Sequence, residues 1–251
     1  MTSPSVTPIT ASRFAPPPGQ DDPRKRMAGE AAVEFVKDGM VLGLGTGSTV
    51  YYTIRKIGQL VKEKEIDVIA IPTSLDTRNY ATSLGIPLTT LDEHPSIDLT
   101  IDGADEVDPD LNLIKGLGGA LFMEKIVASS SAMEVIVIDP GKQVEKLGRG
   151  KLPVEIMKFG HGSTTRRIGE LGLNPTLRTS SPTSPRGALP FVTDNNGVIL
   201  DCLPGPLDDA AAMDREINAV TGVLENGLFI GLTDVIIVGE ESGPVVIRKG
   251  D

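Results

Sequence analysis

The chain has 251 residues, 39% hydrophobic and 23% charged, which suits one large globular domain or a main domain carrying a smaller insertion. Its formal charge of −10 argues against nucleic acid or an anionic membrane as the main partner, and its apolar runs fall well short of the roughly 20 residues that span a bilayer. The one cysteine, Cys202, rules out an intrachain disulfide and suits a reducing cytoplasm, and the first twenty residues lack the apolar core of a secretion signal.

Residues 1–21 are rich in Ser, Thr and Pro, with Pro16-Pro17-Pro18 in succession, and this composition predicts a disordered tail. Asp22-Pro23 is a helix-start signal. Met27, Ala28, Ala31, Ala32, Phe35 and Val36 then recur at helical spacing, up to a stop at Asp38-Gly39. Alternation follows: strand 40–44, helix 49–60, strand 67–71, helix 76–84, extended 87–91, strand 97–101, helix 122–130 and strand 135–138. Apolar strands without polar alternation, separated by helices, predict an α/β fold: a Rossmann-like, largely parallel sheet with helices on both faces. Beyond Lys142 shorter strands at 152–157, 189–193 and 198–202 surround the polar loop Arg178–Arg186, before one buried strand at 234–238. That change of texture predicts a smaller inserted α+β domain at 148–225, with 22–147 and 226–251 forming the main domain.

The segment from Gly43 to Thr49 follows a strand and opens a helix, where free amides and the helix dipole favour an anion. A dinucleotide fingerprint would put its last glycine at Ser48, so the spacing favours a single phosphate. Asp102-Gly103-Ala104-Asp105 should emerge at the carboxyl end of strand 97–101, where open α/β sheets bind ligands. Glu106 and Asp108-Pro109-Asp110 read as solvated turn residues. The loop Lys115-Gly116-Leu117-Gly118-Gly119 can offer a cation and amides to a developing oxyanion. In the next helix Met123, Ile126 and Val127 define the inward face, Glu124 sits on its flank about 100° away, and Lys125 turns further towards water. Desolvation there would raise the Glu124 pKa, and the nearby helix N-terminus would lower it. His94 and His161 are isolated, so no metal site is expected. Taken singly, each residue also reads as a turn aspartate, a surface glutamate or a tight turn. Together on one rim they suit proton abstraction beside a carbonyl on a small polyol.

Gly45-Thr-Gly-Ser-Thr49, Asp102-Gly-Ala-Asp105, Lys115-Gly116, Glu124-Lys-Ile-Val127 and Lys142-Gln-Val144 resemble the ordered motif series of type A ribose-5-phosphate isomerases. Leu152-Pro-Val-Glu155, Val192-Thr-Asp-Asn195 and Gly227-Leu-Phe229 extend the resemblance, which covers the chain from about residue 23 onward except the tail and the 179–188 loop. It implies interconversion of D-ribose 5-phosphate and D-ribulose 5-phosphate through an enediolate, without cofactor or metal, in a cytoplasmic homodimer or homotetramer. It implies Glu124 as the base between C2 and C1, and Asp102 and Asp105 as sugar-hydroxyl ligands, with Asp102 assisting ring opening. Lys115 and the amides of Gly116, Leu117 and Gly118 would hold the oxyanion, and Gly103 and Ala104 would border the sugar. Thr46, Gly47, Ser48 and Thr49 would hold the phosphate, with Lys142 and Lys25 as further contacts. Two positions depart from the family pattern: Leu117 stands at a usual glycine, and Met123 at a usual polar or basic residue. Leucine resists positive φ, so an altered loop is expected at 117. Two rival readings remain at this point: a sugar-phosphate sensor of a transcription regulator, and a coenzyme A transferase with a glutamate nucleophile.

Overall fold

A computed structural model of the chain describes residues 12–180 and 189–250. Helix α1 (Pro23–Ala31) starts where the Asp22 carboxylate accepts from the amides of Arg24 and Lys25, with proline at its first position. It is shorter than its apolar spacing predicts, because the chain tightens into a 3₁₀ turn at Ala32–Phe35 and then extends. Valine and phenylalanine at 33, 35 and 36 are weak helix formers, in keeping with this early end.

The elements that follow are β1 (Val41–Leu44), α2 (Val50–Glu63), β2 (Ile69–Pro72), α3 (Leu75–Ser83), β3 (Leu99–Gly103), β4 (Glu106–Val107), β5 (Leu113–Ile114), α4 (Leu121–Ser129) and β6 (Glu134–Ile138). The second half comprises β7 (Leu152–Ile156), α5 (His161–Glu170), β8 (Thr176–Leu177), β9 (Val198–Cys202), α6 (Ala210–Asn218), β10 (Val223–Asn226), β11 (Leu228–Phe229), β12 (Val235–Glu240) and β13 (Gly243–Arg248). The segment 189–193, expected as a strand, contributes only isolated bridges at Pro190 and Val192, and residues 181–188 of the polar loop lie outside the described residues.

The main sheet has the order β13-β12-β6-β3-β1-β2. All its pairings are parallel except the edge hairpin of β12 with β13. The run at 135–138 shows why such a sheet needs two covered faces. Val135 and Val137 point into one apolar layer with Ala28, Ile54 and Ile57 of α1 and α2. Ile136 and Ile138 point into another with Ala128 of α4 and Phe229. That second face is shared with a three-stranded sheet, β11-β5-β4, where helices alone were expected. The four-stranded antiparallel sheet β10-β7-β9-β8 has its own core, including Val154, Ile168, Leu200 and Ile217. Strand β12 rejoins the main sheet beside β6, as its apolar run suggests.

What matters for function is the point where strand order reverses. From β1 the sheet proceeds to β2 on one side and to β3 on the other. A crevice opens above the carboxyl ends of such a pair.

Candidate active site

Asp102, near the end of β3, is 1% exposed and ties the two strand ends together. Its Oδ1 accepts from the amides of Thr46 (3.0 Å) and Gly103 (2.7 Å). A side chain at position 45 would put its Cβ 2.1 Å from that oxygen, so glycine is needed there. On the other side Oδ2 pairs with Lys115 Nζ at 3.0 Å.

Lys115 is equally buried and sits at the hub of the site. Its Nζ donates to the Gly103 carbonyl at 2.5 Å and lies 3.3 Å from Glu124 Oε2. The Phe229 ring centroid is 5.4 Å away, and the Lys115 amide donates to the Gly227 carbonyl at 2.9 Å, which gives the Gly227-Leu-Phe229 motif a physical role. Burial pulls the lysine pKa down, but the charges of Asp102 and Glu124 outweigh it and the pKa is raised. The cation is therefore permanent.

Glu124 is 3% exposed and lies on the inward face of α4 with Leu121, Val127 and Ala128. The flanking position expected from Met123 and Ile126 is corrected: Ile126 is 42% exposed, and the buried stripe runs through 121, 124 and 128. Burial raises the Glu124 pKa to about 8, with Lys115 opposing and Asp102 and Asp105 adding to the rise. Its Oε2 has no hydrogen-bond partner, so the approach of Lys115 is charge attraction without hydrogen-bond geometry. Lys125 does not face open water either; it pairs with Glu225 at 2.7 Å.

Glu124, Lys115, Gly116, Leu117, Gly118, Gly103, Ala104, Asp105, Lys142 and residues Thr46, Gly47, Ser48 and Thr49 line one cavity of about 280 Å³, joined by Phe14. That volume is at the small end of ligand sites, which start near roughly 300 Å³. Asp102 is not on the wall; it lies beneath it, behind Lys115. Lys25 also stands back, its Nζ 3.0 Å from Ser48 Oγ.

The hydroxyls of residues 46–49 are not equivalent. Thr46 Oγ1 is enclosed by Thr73 (2.8 Å), Ser74 (2.8 Å) and Thr77 (3.0 Å), which fills the capacity of one hydroxyl. It braces the loop from behind. Thr49 caps α2 without a side-chain capping bond, and the amides of Tyr51 and Tyr52 turn back to the carbonyls of Gly47 (3.0 Å) and Thr49 (3.1 Å).

The glycine loop is held from outside by two guanidiniums. Arg178 Nη1 donates to the carbonyls of Gly116 (3.0 Å) and Leu117 (3.1 Å), and Arg13 Nη2 to that of Gly118 (2.8 Å). A trans peptide sets C=O and N–H on opposite sides, so the bond to the Leu117 carbonyl turns the Gly118 N–H away from Arg178. The Leu117 amide donates to Asp105 Oδ2 at 2.9 Å. Positive φ falls on Gly116 (108°) and Gly119 (82°) and not on Leu117, so the leucine is accommodated without strain.

Glu106 is no solvated turn residue: at 5% exposure it accepts from the amides of Gly148 (2.7 Å), Arg149 (3.2 Å) and Gly150 (2.5 Å), anchoring that loop. Glu155 and Thr193, from two of the later motifs, meet at 2.6 Å and act as buried scaffolding. Arg13, Phe14 and Arg178 are the contributors that local pattern did not announce. Among the described residues no group of three His, Cys, Asp or Glu is arranged to hold a metal ion.

The family model for ribose 5-phosphate isomerase A (phosphoriboisomerase A) matches residues 69–243. The ribose-5-phosphate isomerase A of Streptococcus gordonii is 44% identical over 224 residues, which cover 89% of this chain and 97% of that protein. This chain belongs to the ribose 5-phosphate isomerase A family. The solved enzyme of Methanocaldococcus jannaschii superposes with a TM-score of 0.84 at 39% identity, covering 90% of this chain and 98% of that one. A D-ribose-5-phosphate isomerase in complex with phospho-erythronic acid gives 0.85 at 36% identity, covering 90% and 97%. In a family member, the glutamate, lysine and phosphate loop converging on one cavity have an immediate chemical reading.

Proposed function

We propose that the chain interconverts D-ribose 5-phosphate and D-ribulose 5-phosphate through an enediolate, with Glu124 as the proton carrier. The observation that carries this reading is Glu124 itself: it is buried, its Oε2 has no hydrogen-bond partner, and it lines the cavity that residues 46–49 also line. Removing the C2 proton of the open-chain aldose leaves negative charge shared by O1 and O2. Returning that proton at C1, with a proton passing from O2 to O1, completes the ketose. A carboxylate with a pKa of about 8 is a stronger base than a solvated one and still exists ionised near neutrality. Lys115 and the Gly118 N–H supply the positive side of the reaction, a service commonly worth several kcal/mol.

The phosphate is assigned to Gly47, Ser48, Thr49 and the start of α2, with Lys25 behind Ser48 and Lys142 elsewhere on the same lining. Asp105 is assigned to the sugar hydroxyls and the glycine loop. Asp102 has a positioning role in this proposal, holding Lys115 and the Thr46 amide, in place of the hydroxyl contact implied by resemblance. The inserted unit at 148–225 belongs to the same reading, because Arg178 reaches from it to the glycine loop. Self-association as a dimer or tetramer is also part of the proposal and is checked by light scattering.

The test is a coupled assay on ribose 5-phosphate with the wild type and Glu124→Gln. Turnover should fall by about 10²–10⁴ in the variant while sugar-phosphate binding persists. Equal turnover would remove Glu124 from its role, and thioester exchange in place of isomerisation would favour a transferase.

A further inference from the structure

Residues 12–20 were expected to belong to a disordered tail, and their contacts correct that expectation; residues 1–11 lie outside the described residues. Ser12 is buried, its Oγ donating to Asp76 Oδ2 at 2.6 Å, and the Arg13 amide donates to Asp76 Oδ1 at 3.1 Å. The Arg13 guanidinium reaches the Gly118 carbonyl and lies 4.7 Å from the Phe14 ring. At the other end Tyr52 Oη accepts from the Asp22 amide at 3.2 Å and donates to Asp21. Between these two moorings runs Pro16-Pro17-Pro18, closed by a bond from the Gln20 amide to the Pro17 carbonyl at 2.9 Å. Three prolines lose little conformational freedom on docking, so the composition that resembles disorder also suits a stiff band.

Phe14 is where this band meets the chemistry. It lines the same cavity as Glu124, Lys115 and Ser48. Its Cζ would lie 3.3 Å from a Cβ on Gly118, and the Thr46 methyl would lie 3.9 Å from that same point. The ring thus occupies the gap between the phosphate loop and the glycine loop.

We infer that residues 12–20 form a strap across the mouth of the site, with Phe14 as its apolar cover over the bound sugar phosphate and Asp76 as its remote anchor. This rests on the isomerase reading above and adds to it a specificity and positioning element. The cover contributes binding through contact with the sugar. It also shields the proton held by Glu124 from water during the life of the enediolate. A proton taken from C2 either returns at C1 or is exchanged with solvent, and opening the mouth shifts that partition towards exchange.

The experiment uses the full chain with Phe14→Ala and, separately, Asp76→Ala, which releases the anchor without touching the cavity wall. Both variants should raise KM for ribose 5-phosphate about tenfold with kcat much less changed, since contacts made alike in ground and transition states are lost. Run in D₂O, both should place more deuterium at C1 of the ketose than the wild type does. Phe14 is half-buried and its side chain makes no hydrogen bond, only the ring contact with Arg13, so Phe14→Ala reports even where Asp76→Ala disturbs α3. The inference is overturned if Phe14→Ala keeps wild-type KM and deuterium content, or if the only change is a lower Tm, as simple packing would give. Failure of the underlying reading looks different: the wild type itself would not convert ribose 5-phosphate, and the inference would fall with it.

Discussion

Glu124→Gln removes a titrating group while preserving its volume and one of its oxygens, so it separates the acid–base chemistry of the site from its shape. The glutamate ordinarily titrates near 4.5, and burial chiefly raises it to about 8 in the folded protein. Between those values the native state keeps a proton that the unfolded chain releases. Native protein then binds more protons than unfolded protein, and stability falls as pH rises from about 4.5 to about 8. Glutamine has no such titration. At pH 7 the interval above 4.5 is about 2.5 units, and at about 1.36 kcal/mol per unit the variant should be more stable by about 3 kcal/mol. Lys115 loses little, because below pH 8 its neighbour is mostly protonated and Asp102 remains 3.0 Å away. Glu134 is also buried with a raised pKa, chiefly from burial, but it is present in both proteins and cancels in the comparison to first order. Urea denaturation at pH 4.5, 5.5, 7 and 8, at one protein concentration, measures the difference. The expected result is two curves that coincide at the acid end and diverge upward through pH 7, with the stabler protein nearly inert. A variant no stabler at pH 7, or a gap of the same size at pH 4.5, would refute the desolvated-base argument.

The same titration has a kinetic face: kcat/KM should rise about tenfold per pH unit on the acid side and level off above about pH 8, and a flat profile from 5.5 to 8 would tell against Glu124 as the base. Lys115→Met leaves the buried Asp102 carboxylate without its cation, so stability in urea should drop by about 3–5 kcal/mol. Turnover of the surviving folded protein should fall by about 10²–10³, and undiminished kcat would remove Lys115 from the oxyanion role. Thr46→Val takes one partner from Thr73, Ser74 and Thr77, which keep their bonds to the Leu44 carbonyl, to each other and to the Gly45 carbonyl, and should cost about 0.5–1.5 kcal/mol of stability with KM little changed. Ser48→Ala should do the reverse, raising KM for the sugar phosphate with stability intact. The opposite pairing of effects would show that Thr46, and not Ser48, meets the phosphate.

Much of the main sheet was legible because its strands are buried on both faces, and an unbroken apolar run such as 135–138 has few other homes. The short strands β4, β5 and β11 were not, since two residues carry no periodicity. Helix α5 hides for a different reason: it starts at Gly160 in the left-handed region with no side-chain cap, and buries only Thr164 and Ile168. Helix α6 did carry a start signal, as the Asp209 side chain accepts from the Ala212 amide. At the site, Asp102 lies near the end of β3 as its place in the sequence suggests, and the two glycine turns line one cavity. The orientation of Glu124 was misread because Met123 and Ile126, although apolar, are not the residues that α4 buries. Arg13 and Arg178 meet the glycine loop from 105 and 62 residues away along the chain, and no local pattern encodes such contacts.

Those long-range contacts bear on how charged side chains can be kept buried at the site. Lys115 faces Asp102 and Glu124, with Asp105 close by, and all three paired side chains are at most 3% exposed. One cation cannot neutralise that many carboxylates, so the least solvated of them, Glu124, holds a proton more tightly than a free glutamate would. That tight hold destabilises the fold near neutrality, and it is also what lets the residue pull a proton from carbon. Relieving the one by admitting water would forfeit the other, because solvation lowers the pKa of the base and weakens every charge contact around it. An enclosed mouth follows from this logic. The strap at 12–20 and the guanidiniums of Arg13 and Arg178 close and brace the mouth from outside, where they add no charge to the reacting centre.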